Sequence, residues 1–109
     1  MIVVTTSDIH GQHIVRTLGL VRGSTVRSRH LGRDIMASLR NLVGGEIPEY
    51  TKMLAEAREE ALDRMIEHAN DLGANAVVCT RFSTSDIARG AAEIMIYGTA
   101  VVVEATAAG

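Results

Sequence analysis

The sequence predicts an α+β fold, a two-layer β-α-β-β subunit with a small antiparallel sheet, one long helix and one short helix. Three observations carry this. β-branched residues cluster near both ends of the chain. An amphipathic stretch runs between Pro48 and Gly73. From Ile94 to Val103 only Tyr97 and Thr99 carry polar side-chain atoms. A chain of 109 residues has room for one domain, 1–109.

The elements follow in order. Ile2–Thr6 is short and β-branched and reads as a strand. Ile14–Arg27 reads as a second strand, with bends or bulges at Gly19 and Gly23. In Arg33–Val43, residues Ile35, Met36, Leu39, Leu42 and Val43 recur at helical spacing, and Gly44-Gly45 supply a stop, which predicts a short helix. Pro48 suits the first turn of the long helix, where its missing N–H has no partner to lose. Glu46 and Glu49 favour the dipole at that end, and Gly73 marks the stop after Leu72.

The apolar face of the long helix is Tyr50, Leu54, Ala57, Ala61, Met65, Ala69 and Leu72, with a second edge at Ala55, Leu62 and Ile66. Glu60 and Arg64 form a favourable i,i+4 pair. Ala76–Ser83 predicts a strand, Ser83–Gly90 a polar loop, Ala92–Glu104 a final strand and residues 105–109 a frayed tail.

Hydrophobic residues make up 47% of the chain and aromatic residues only 3%. A domain this small buries only part of that apolar mass by itself. The final strand reads as buried on both faces, and the long helix can cover only one of them. The other cover is expected from a second copy of the chain, so the main partner expected is the protein itself.

Charge is unevenly placed. Residues 1–45 hold six Arg against two Asp, whereas residues 46–72 hold three basic side chains against eight acidic ones. Opposite patches of this kind can attract one another within or between copies, or remain solvated faces. The net charge of −2 and only three aromatic residues argue against nucleic acid as a partner. The N-terminus lacks a charged region and a long apolar run, no stretch approaches the ~18 apolar residues of a membrane helix, and the lone Cys79 suits a reducing compartment. Cytoplasm is therefore expected.

Candidate chemistry is sparse. His10 and His13 form an H-x-x-H whose Gly11 favours a turn over a metal-binding helix. Cys79 lies mid-strand, where a buried thiol behaves as a small hydrophobe. In a symmetric ring, copies of Cys79 or His30 could converge on a transition metal without any single-chain motif. Arg58 and His68 fall on the apolar side of the long helix. Arg58 is expected to pair with Glu93 or Glu46, because a buried charge is costly alone. Arg27, Arg29 and Arg33 form the densest basic patch, suited to an anion or to the acidic helix of a neighbour. Walker, dinucleotide, G-x-S-x-G and H-E-x-x-H patterns are all absent, so no enzyme is indicated.

Several blocks in order resemble the YbjQ-like family of uncharacterised bacterial proteins, which carries a heavy-metal-binding label. They are the N-terminal VVTT with Gly11, GLVRGSTVRSR, LGRD at Leu31–Asp34, NLVGGEIPEY at Asn41–Tyr50, AREEAL at Ala57–Leu62, LGANAVV at Leu72–Val78 and AAEIMIYGTAVVVE ending at Glu104. The resemblance implies a dodecin-like, ring-forming subunit assembled as a homopentamer. Taken with the surplus apolar surface and the uneven charge, it favours a binding or scaffold role at the subunit interface. The alternative is a metal-binding role using His10, His13, His30 or Cys79 in the assembled ring, at positions the family blocks do not require.

Overall fold

The computed structural model describes residues 1–28, 48–88 and 91–107. The expected short helix at Arg33–Val43 lies outside the described residues. Strand β1 is Ile2–Val3, β2 is Gln12–Ser28, helix α1 is Pro48–Asp71, β3 is Ala76–Ala88 and β4 is Ala91–Ala105. They form a four-stranded sheet in the order β1-β3-β4-β2, with α1 packed on one face, chiefly against β2 and β4.

The sheet is mixed, not purely antiparallel as the sequence predicts. β4 runs antiparallel to both β2 and β3, but β1 runs parallel to β3, with Ile2 opposite Ala76 and Val3 opposite Val77. The reason lies in the connection. β1 and β2 occupy opposite edges and start near the same end of the sheet, so residues 4–11 must cross that end. The crossing segment is anchored by the Val4 N–H on the Val77 carbonyl (3.0 Å) and the Gln12 N–H on the Ile9 carbonyl (3.0 Å). This crossover also shortens β1 to two residues, where the β-branched pattern extended to Thr6.

β3 continues through Ala88, so the segment predicted as a loop from Ser83 pairs instead. Ser83 faces Met95, Thr84 faces Ile94 and Ala88 faces Ala91. Polar side chains are tolerated there because this half of β3 has no outer neighbour among the described residues. At the other terminus, Ala105 belongs to β4 and the Thr106 N–H donates to the Gly11 carbonyl (2.9 Å).

The helix-side core is Val21, Ala61, Met65, Ala69, Ala74, Val77, Ile96 and Ala100, with Val3, Leu18 and Leu62 packed against it. Ala57, Ala61, Met65 and Ala69 of the predicted stripe are fully buried, while Leu72 at its end is exposed. The small residues let helix and sheet approach closely. Gly23 of β2 completes the approach: a Cβ there would lie 2.0 Å from the Ala61 carbonyl oxygen and 2.4 Å from the Met65 nitrogen. Gly23 is therefore a packing residue in a regular strand. Gly19 (φ +115°) does sit at a register shift, as its sequence context suggests.

Thr25 buries its hydroxyl under α1 and donates to the Ala57 carbonyl (3.1 Å). Asn75 continues the β3 ladder with its side chain, accepting the Val103 N–H (2.8 Å) and donating to the Val103 carbonyl (2.9 Å).

Candidate functional site

Strand alternation places residues on two faces. On β4, Ile94, Ile96, Gly98 and Ala100 point toward α1, whereas Met95, Tyr97, Thr99, Val101 and Val103 point away. The far end of this second face is closed by the crossover, where Val4 and Ile9 pack on Ala76, Val78, Val101 and Val103. The rest of the face has no cover among the described residues.

Its residues form cross-strand rows. Leu20, Thr99 and Val78 make the first, and Arg22, Tyr97 and Arg81 the next. Ser24, Met95 and Ser83 follow, then Val26, Glu93 and Ser85. Exposed large hydrophobic side chains gather on β2 and on the half of β3 that lies beyond β1. Leu20 is 66% exposed and Val26 51%, both on β2, with Ile14 and Val15 also exposed; Phe82 on β3 is 54% exposed. Tyr97, at 36%, is the exposed aromatic of the central strand.

The edges differ in how they are guarded. On β2, the Arg22 N–H donates to His68 Nδ1 (3.3 Å), and Arg64 Nη1 donates to the Ser24 carbonyl. Helix side chains thus occupy outward backbone groups that could template another strand. On β3, the crossover takes the Cys79 N–H (to the Thr6 carbonyl, 3.0 Å) and the Thr80 N–H (to the Val4 carbonyl, 3.1 Å). Neither guard reaches Gln12–Leu20 on β2 or Phe82–Ala88 on β3.

The charged residues settle differently from the sequence expectation. Arg58 is exposed, and among the described residues it forms no ion pair with Glu93; Glu46 lies outside them. Arg58 follows Ala57, which faces the sheet, and the helical turn carries it past the edge of the contact. His68 is also exposed and serves as the acceptor for β2. Of the basic patch, Arg27 is described, and its guanidinium joins Glu60 of the same chain's helix (2.8 Å), while Arg29 and Arg33 lie outside the described residues.

Glu60 also holds Arg64 (2.6 Å), the i,i+4 pair that the sequence predicts. The hydrogen bond from Arg27 lowers the Glu60 pKa. Partial desolvation opposes this, and the charges of Arg64 and Arg27 add to the lowering. A carboxylate whose pKa is lower in the folded than in the unfolded state supports folding at neutral pH. That support is lost as pH falls through the folded-state value. Between about pH 7 and about pH 3, the melting temperature of the wild-type protein is expected to fall further than that of Glu60→Gln. Equal falls would show that the pairing contributes nothing.

The metal candidates do not converge. His10 sits exposed in the turn before β2, and His13 is exposed on β2 opposite Glu104. His30 lies outside the described residues. Cys79, expected to be buried, is exposed, because a bulge between Val78 and Arg81 turns it out with φ 55°. Among the described residues no three His, Cys, Asp or Glu side chains are grouped to hold a metal ion. Beside Cys79, the buried Thr80 hydroxyl has no hydrogen-bond partner among the described residues. No helix among them is long and apolar enough to cross a membrane.

The second face of the final strand was expected to lack cover from the helix, but the free edges and the cross-strand rows were not legible, because rows such as Arg22–Tyr97–Arg81 exist only once strand register is known. The spacing of Leu20 and Val26 on a predicted strand was the available signal.

A small α+β protein with one sheet face covered by the helix and the other largely open among the described residues is the class of protein these features define. The chain belongs to the YbjQ family, described as "Putative heavy-metal-binding", whose family model matches residues 1–104. Its relatives include UPF0145 proteins of Pyrococcus abyssi, 64% identical over 95% of this chain and 91% of the relative, and of Dehalococcoides mccartyi, 58% identical over 95% of this chain and all of the relative. The fold is similar to a crystal structure from Pediococcus pentosaceus of a DUF74-family protein of unknown function. That match has a TM-score of 0.62 and 14% identity, and covers 95% of this chain and 98% of the other.

Proposed function

We propose that the protein is a ring-forming homo-oligomer with a binding or scaffold role, and no enzymatic one, whose ligand site lies where copies meet. The observation that carries this reading is where the exposed apolar side chains lie. Leu20 on β2 and Phe82 on the outer half of β3 flank backbone that no other strand pairs among the described residues. Such edges attract other strands unless they are covered, and a second copy supplies the cover. Contact between two different edges is heterologous, and heterologous contacts close into rings when the rotation allows. The pentamer that the family resemblance implies fits this scheme, as does a cytoplasmic location.

Light scattering coupled to size exclusion tests the reading. Five copies of an 11.7 kDa chain give a particle of about 58 kDa. A particle of single-chain mass at micromolar concentration would overturn it.

A metal-binding role is the second reading, favoured by the exposed Cys79 thiol and the family's description. Because the described residues of one chain group no three ligands, such a site would draw His10, His13, His30 or Cys79 from several copies. Metal analysis of untagged protein after zinc or copper exposure tests it. Less than about one tenth of a metal per chain would count against it, since a site shared by five copies supplies one fifth.

A further inference from the structure

We propose that the Arg22–Tyr97–Arg81 row on the open sheet face binds a free nucleoside phosphate. This rests on the proposed binding role and names a ligand for the open face that lies between the two edges where copies would meet.

The three residues are direct cross-strand partners, with Tyr97 on central β4 and one arginine on each neighbouring strand. Partners in register project from the same face. With strands ~4.8 Å apart, Tyr97 is flanked by two arginines whose Cα atoms are ~10 Å apart. That is the arrangement a nucleotide requires: a ring on which a base stacks, and a cation within reach of the phosphate.

The charges are available. Arg22 uses its backbone N–H on His68, while its exposed side chain forms no hydrogen bond or ion pair among the described residues. Arg81 is tethered through Nη1 to the Thr5 and Thr80 carbonyls (2.8 Å each), which fixes its position and leaves its charge without a described carboxylate. The half-buried Ser24 and Ser83 in the next row add hydroxyls beside the two arginines.

A nucleic acid strand fits less well than a free nucleotide. Sheets that bind single strands stack successive bases on two or three aromatic side chains, and here Tyr97 is the only aromatic residue on the face among the described residues. The net charge of −2 also argues against a phosphate backbone as the partner.

The test titrates the assembled protein with AMP, adenosine, inorganic phosphate and a single-stranded decanucleotide, with light scattering in parallel. AMP is expected to bind, with adenosine and inorganic phosphate each at least about tenfold weaker, because each keeps only one of the two contacts. Arg22→Gln and Tyr97→Leu should each weaken AMP binding by about tenfold. Neither substitution touches the buried core, so the melting temperature should stay within a few degrees of wild type.

No AMP binding at about 1 mM, equal binding by wild type and both variants, or clearly tighter binding of the decanucleotide would each overturn the proposal. Light scattering separates the two readings. A single-chain mass with AMP bound through Arg22 and Tyr97 sinks the assembly and keeps the site. A ring that ignores AMP does the reverse.

Discussion

Gly23→Val is expected to destabilise the protein by about 3 kcal/mol or more, enough to remove much of the stability of a small domain. The argument is steric. The new Cβ would lie 2.0 Å from the Ala61 carbonyl oxygen, 2.4 Å from the Met65 nitrogen and 2.9 Å from the Arg64 Cβ. Two of these atoms belong to the helix backbone, so no rotamer change relieves the overlap. Either α1 rises from the sheet or β2 bends away.

Both responses pull Ala61 and Met65 out of a fully buried layer and stretch the Thr25 bond to Ala57. They also lift Arg64 and His68 from the β2 edge that they guard. Ser24→Ala, one residue away on the opposite face, is the control and should cost less than about 0.5 kcal/mol. Urea unfolding of the three proteins measures the difference. A Gly23→Val protein within about 1 kcal/mol of wild type would mean that helix and sheet are not in this contact.

The same glycine shows what could be read from the sequence and what could not. The long helix was legible because its signals are local: Pro48 at the first turn, a stripe of Ala and Met at helical spacing, and Gly73 at the stop. The strand around Gly19 and Gly23 was legible too, but the two glycines serve different ends. Gly19 supplies a positive φ at a bulge, while Gly23 supplies the absence of a side chain beneath a helix many residues away.

Nothing local separates these roles. The distinction depends on tertiary register, as does the parallel pairing of β1, which follows from which edge the chain must reach next. The polar stretch Ser83–Ala88 was read as a loop because its composition is that of a loop. It pairs because β4 supplies a partner, and its polar side chains lie along an edge.

The candidate site divides the same way. The surplus of apolar side chains was visible in composition, and the structure places it mainly on edge strands. The charged pair at Glu60 and Arg64 was visible as an i,i+4 spacing, and Arg27 joins it across more than thirty residues of sequence, a contact no spacing rule reaches. Arg58 and His68 were placed on the buried side by counting helical angle. That counting errs because the sheet covers a narrower arc of the helix than the run of apolar residues suggests. Cys79 was read as buried because its neighbours Val77 and Val78 are, and one bulge reverses its exposure.

Leu20→Glu is expected to reduce the particle to single-chain mass while leaving the fold of each chain intact. Leu20 lies on the stretch of β2 whose outward backbone no helix side chain guards among the described residues, and it is 66% exposed. Covering such a side chain is worth roughly 1.5–3 kcal/mol at each contact. A glutamate there forfeits that gain and also places a charge where the neighbouring strand must desolvate it, a device that natural edge strands use to stay apart. The effect repeats at every contact of a ring, so a modest loss per chain becomes a large loss of assembly.

Because Leu20 lies outside the buried cluster beneath α1, the circular dichroism and melting temperature of the dissociated chain should still report a folded protein, stabilised only by what one copy contains. Glu59→Lys together with Asp63→Lys on the exposed face of α1 gives the contrasting case. If neighbours grip the acidic helix instead of the sheet edge, that double variant falls apart and Leu20→Glu keeps its mass. If the edge is the seam, the outcomes are reversed, and the two light-scattering traces decide between them.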